Sequence, residues 1–91
     1  MAIFSNRNIH GGTQVVHKFS NGFGASVVCH EYSYGGDEGL FELAVIEFDG
    51  DNKWYLTYDT PITGDVIGHL TPDEVEDLLA QIEALPVVAT A

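Results

Sequence analysis

The chain has 91 residues, 45% of them hydrophobic, with 14 Asp and Glu against 3 Lys and Arg and a formal net charge of −11. That length holds one domain with one modest core, needing no disulfide or metal, and Cys29, the only cysteine, excludes an intrachain disulfide and suits a reducing cytoplasm. A charge of this sign argues against direct binding to DNA, RNA or anionic lipid and makes a basic protein surface the natural partner.

The acids are not spread evenly. All lie from Glu31 onward, so residues 31–91 carry −13 and residues 1–30 carry +2, from Arg7 and Lys18. The N-terminal residues lack the basic-then-apolar pattern of a signal peptide, and no apolar run approaches the roughly 20 residues of a membrane span. A cytoplasmic protein without a membrane partner is expected.

In chain order, residues 1–12 are polar, end in Gly11-Gly12 and read as a flexible arm. Residues 13–86 are expected to form the single domain, and residues 87–91 a tail. Residues 13–20 and 23–30 are β-rich and flank Asn21-Gly22, the strongest short hairpin signal, because a type I′ turn needs positive φ at both central positions. That turn would pair Ser20 with Phe23, Val16 with Val27 and Val15 with Val28, and would set the Phe19 ring over Gly24.

Residues 32–39 read as a flexible glycine loop with Tyr32, Tyr34, Asp37 and Glu38. Leu40 to Phe48 is the longest apolar run, apolar on both alternating faces, and reads as the central strand. A turn at residues 49–52 leads to a fourth strand over 53–58. Centred on Gly50-Asp51, it would pair Val45 with Leu56, Ile46 with Tyr55 and Leu43 with Tyr58. Pro61 ends that strand, and residues 59–70 read as a loop. Thr71-Pro72-Asp73-Glu74 then opens a helix with a cap, a proline at the first position and a capping box. Val75, Leu78, Leu79, Ile82 and Leu85 make its apolar face, Asp73, Glu76, Asp77 and Glu83 its polar one, and Pro86 its end. The expected fold is α+β: a four-stranded antiparallel meander with one C-terminal amphipathic helix on one face, the other face or an edge being left for a partner.

The residues offer little catalytic chemistry. His10, His17, His30 and His69 show no metal-ligand spacing, and in the expected hairpin His17 and His30 lie about 13 Å apart on one face. Cys29 lies within a strand, and its neighbour His30 points to the opposite face. Gly22-Phe23-Gly24 suits a turn better than a phosphate loop. Asp49, Asp51 and Asp59 lack the spacing of an EF-hand. No catalytic residue, cofactor or metal site is expected. Tyr32 and Tyr34, between glycines and acids, fit the enrichment of tyrosine at interfaces. Together with Asp37, Glu38, Asp49, Asp51, Asp73, Glu76 and Asp77 they are the expected partner-binding set. Solubility alone would account for an acidic surface, although a merely soluble one usually interleaves both signs.

Phe19 to Val28, Asp59 to Thr63 and the Leu70-Thr71 entry into a Leu78-Leu79 helix ending at Ile82 to Leu85 resemble small orphan proteins of bacteriophages. In size and charge the chain is similar to acidic phage inhibitors such as DNA mimics and anti-CRISPR proteins. The resemblance implies a location in the host cytoplasm and no particular site residue. The expected function is that of a non-enzymatic inhibitor docking on a basic, nucleic-acid-binding host protein. The alternative is an assembly protein that homo-oligomerises through a sheet edge or open sheet face.

Overall fold

The computed structural model describes residues 2–50, 52–57, 60 and 66–87. Among them the chain forms strands β1 (Ala2–Ile9), β2 (Gly12–Lys18), β3 (Phe23–Cys29), β4 (Phe41–Asp49), β5 (Lys53–Leu56) and β6 (Ile67–Leu70), then helix α1 (Pro72–Glu83). The strands make one curled antiparallel sheet in the order β1-β2-β3-β4-β5, and β6 pairs with β4. The class is α+β with one C-terminal helix, but the described sheet has six strands rather than four.

The first added strand is the presumed N-terminal arm. Residues 2–9 pair along β2, from Ala2 opposite Lys18 to Ile9 opposite Gly12, with a bulge between Ile3 and Ser5. An edge strand needs no apolar alternation when its polar side chains find partners, and Arg7 Nε donates to Gln14 Oε1 at 2.8 Å. The turn between these strands is the tight one. His10 at φ 47° and Gly11 at φ 75° occupy the two left-handed positions of a type I′ hairpin. The second added strand, β6, lies within the region read as a loop. It pairs Phe41 with Leu70 and Leu43 with Ile67 across a bulge.

Two hairpins differ from expectation by one residue. The β2–β3 loop has three residues, Ser20, Asn21 and Gly22, with only Gly22 at positive φ. Val15 therefore faces Val27, Val16 faces Ser26, and Lys18 rather than Phe19 faces Gly24. Likewise β4 and β5 pair Ile46 with Leu56, Glu47 with Tyr55 and Phe48 with Trp54. Because side chains alternate, the one-residue change moves Leu56 to the face opposite Val45. The expected partner Tyr58 lies outside the described residues, as do Asp51, Asp59 and Pro61.

Alternation sorts the buried residues into two groups. On the helix side, Phe19, Ala25, Val27, Leu43, Val45 and Leu70 pack against Val75, Leu79 and Ile82. On the opposite side Val16, Val28, Ala44 and Ile46 are also buried, Ile46 completely. There Gln14 Nε2 donates to Ser26 Oγ, and the Phe4 and Phe48 rings meet edge to face at 5.1 Å although β2 and β3 lie between their strands. Lys18 Nζ lies over both rings. The second sheet face is therefore interior rather than open, and the exposed margins of the sheet are its edges.

Candidate interaction surface

Helix α1 is set by its two ends. At the first, Thr71 Oγ1 accepts from the Glu74 backbone N–H while the Glu74 carboxylate accepts from the Thr71 N–H, the reciprocal pair expected from the sequence. Those bonds hold the Glu74 carboxyl below the usual glutamate range. At the second, the Asn21 side chain donates to the carbonyls of Ile82, Glu83 and Leu85. The helix packs on β3, β4 and β6. Asp73, Glu76, Asp77 and Glu83 are exposed.

The loop carrying Tyr32 to Glu38 is more ordered than its glycines suggest. Ser33 Oγ accepts from the His30 N–H and donates to the His30 carbonyl. The Tyr34 N–H donates to Glu42 Oε1, and its carbonyl accepts from the His69 N–H. Tyr34 seats against Gly68, where an added Cβ would lie 2.4 Å from the Tyr34 Cβ. Asp37 and Glu38 sit in a short 3-10 helix, Gly36–Glu38, and Glu38 Oε1 lies 3.8 Å from His69 Nε2. The loop thus rests on β6, and β6 passes directly into the Thr71 cap of α1. Tyr34 and Tyr32 expose 62% and 71% of their surface, so both rings are free to be covered.

The expected set is thus divided. Tyr34, Asp37 and Glu38 adjoin β6, and Asp73, Glu76 and Asp77 follow it on the helix. Tyr32 turns to the end of the first hairpin, where its ring packs edge to face on His10, itself 5.2 Å from the His30 ring. The histidines that meet are His10 and His30, brought together by β1, while the one-residue shift of the hairpin takes His17 to the face opposite His30 instead of the expected shared one. Asp49 ends β4 about 26 Å from Phe41, opposite Lys53, and does not join the others. Asp51 lies outside the described residues. Among the described residues no group of three or more His, Cys, Asp or Glu side chains gathers as for a metal ion.

One feature of the surface was not expected from the sequence. The helix leaves part of β2 uncovered, and a cleft of about 280 Å³ lies between them, lined by Val15, His17, Val27, Phe41, Pro72, Val75, Glu76 and Leu79. His17 is only 8% exposed, and its Nδ1 has no hydrogen-bond partner. Burial holds the imidazole below its ordinary pKa and so favours the neutral ring. The shift of one residue in the first β-rich hairpin, together with the side on which the helix lies, put Val15 and His17 on this wall, and neither is written in local sequence.

No family model, curated protein or solved structure matches the chain.

Proposed function

We propose that this chain is a non-enzymatic acidic binding protein that docks on a basic, nucleic-acid-binding surface of a host protein, in the manner of a phage inhibitor that imitates nucleic acid. The observation that carries this function is the composition of helix α1. Asp73, Glu74, Glu76, Asp77 and Glu83 set five carboxylates along about 18 Å of helix with no Lys or Arg among them. Four of them fall within about 6 Å of helix axis, from Asp73 to Asp77, and Glu83 follows about 9 Å on, a run of the same sign as a phosphate backbone. Across β6, the 36–38 turn adds Asp37 and Glu38, and Tyr34 of the same loop offers an exposed aromatic ring.

Charge complementarity of this kind speeds association and makes binding steeply salt-dependent. The test is affinity capture of identified host nucleic-acid-binding proteins at about 50 mM and about 200 mM salt, with added DNA as competitor. Retention that falls with salt and with DNA supports the function. A partner held equally well in every condition contradicts it.

Homo-oligomerisation through a sheet edge is favoured by a different observation. Ile3 on β1 is 60% exposed, and Tyr55 and Leu56 on β5 are 52% and 42% exposed, all on strands at the margins of the sheet. Sedimentation of the purified protein separates the two, since a closed oligomer favours assembly through the edges.

A further inference from the structure

The cleft between β2 and α1 is acidic at one margin and apolar within. Pro72, Val75, Glu76 and Leu79 recur at i, i+3, i+4 and i+7, so one stripe of the helix forms its wall. Val15, Val27 and Phe41 form the sheet side. Glu76 lies on the exposed side of the helix, one residue before the exposed Asp77 and one turn after the exposed Asp73. The nearest Lys and Arg in the chain sequence belong to other elements. His17 is the polar exception in the interior, a ring more than nine-tenths buried with an unpartnered nitrogen. Buried polar atoms are rarely left unpaired without a reason.

We infer that this cleft receives a single apolar side chain of a basic peptide segment, a leucine-sized group flanked by lysine or arginine, with the apolar group against Val15, Phe41, Val75 and Leu79 and the flanking cations at Asp73, Glu76 and Asp77. The inference rests on the basic-partner function proposed for the chain and names where on the acidic surface the partner is anchored. At about 280 Å³ the open cleft has room for a leucine-sized side chain and lies just below the roughly 300 Å³ at which cavities for small molecules begin. The sign of the flanking charge follows from Glu76 and its two acidic neighbours, because a second acidic segment would be repelled. A well-packed apolar anchor inside a charged margin is the arrangement in which interfaces concentrate their binding energy. Long-range attraction would bring the basic segment to the helix, and burial of the apolar group would then fix its register. His17 would report the event, since closing the cleft removes what water reaches its ring.

The probe is a short blocked peptide with one leucine between pairs of lysines, titrated into the full chain and followed by proton–nitrogen NMR of the imidazoles. The His17 signals are expected to move, while those of His69 on the far side of β6 move less. Replacing the peptide leucine by alanine should weaken binding about tenfold or more, the worth of burying one such side chain. Glu76→Lys should weaken it more than Glu83→Lys, which changes charge equally at the other end of the helix. Circular dichroism of both variants verifies the fold, and both positions are exposed. If the leucine and alanine peptides bind alike and the two charge reversals cost the same, the cleft is not the anchor, although acidic docking on basic partners still stands. If no lysine peptide binds at low salt, both the cleft and the function beneath it are overturned. Saturable binding that leaves the His17 signals in place likewise rules out the cleft.

Discussion

The Asn21 side chain reaches across 61 positions of sequence to donate to the Ile82 carbonyl at 2.9 Å. It donates also to the carbonyls of Glu83 and Leu85, and its Oδ1 accepts from the Phe23 N–H. A helix end leaves carbonyls without partners, and here a hairpin loop supplies the donor. The same residue thereby shapes the loop and fixes the helix to the sheet. Asn21→Ala removes the donor and exposes no compensating group, because the site is buried. A loss of about 2 kcal/mol in urea unfolding is expected. Asn21→Asp keeps the acceptor for Phe23 but sets an anion against three carbonyls at the negative end of the helix, and should be at least as damaging.

The opposite end of the helix gives a pH-dependent counterpart. Thr71→Ala breaks the capping box and should cost about 1 kcal/mol. Glu74 has a folded pKa lowered from 4.5 by its bonds to Thr71. Its contribution is therefore full above that value and is lost as the pH falls through the lower folded one. Glu74→Gln can still accept from the Thr71 N–H but does not titrate, so its stability should vary less with pH in this acid window. Urea titrations of the two proteins from neutral pH down to below that value measure the difference.

Helix α1 was legible because every signal for it is local: the Thr71 cap, Pro72, the Glu74 return and the apolar spacing from Val75. The central strand was legible from unbroken hydrophobicity. The turns were not. Asn21-Gly22 carries the sequence of a type I′ turn, but the Asn21 amide is held by a helix about 60 residues later, and the loop takes three residues to present it. The tight turn falls instead at His10-Gly11, where histidine accepts positive φ. Strand β1 was hidden by its polar residues, which an edge tolerates, and β6 by a bulge that interrupts its short pairing with β4. The exposed acids of the helix could be read directly as surface. The cleft could not, since it depends on strand register and on where the helix rests.

Gly24 tests how closely the interior face of the sheet is packed. An added Cβ there would lie 2.1 Å from the His17 carbonyl oxygen and 2.8 Å from Phe48 Cε2. The backbone contact cannot be relieved by turning a side chain, and the Phe48 ring is already set against Phe4. Gly24→Ala is expected to destabilise the fold by about 2 kcal/mol or more, despite the general preference for alanine over glycine in a strand. Thermal and urea unfolding measure the loss, and a variant as stable as the parent contradicts the close packing.

His17 carries the last prediction, and its sign is opposite to that of a histidine that gains an acidic partner. Burial lowers the folded pKa from 6.5, so between the two values the unfolded chain binds a proton that the folded chain refuses. Stability should therefore fall as the pH drops below 6.5 and level off once the pH is under the folded value. This window opens at a higher pH than that of Glu74, and the His17 and Glu74 variants assign each effect to its residue. His17→Phe keeps a ring of similar shape beside Phe19, with which His17 stacks at 6.4 Å, and deletes both the titration and the unpartnered Nδ1. The variant should equal or exceed the parent by up to about 1 kcal/mol at neutral pH. Its lead should widen as the solution is acidified toward pH values of about 5. An unchanged difference across that range would show that the imidazole is solvated rather than buried neutral.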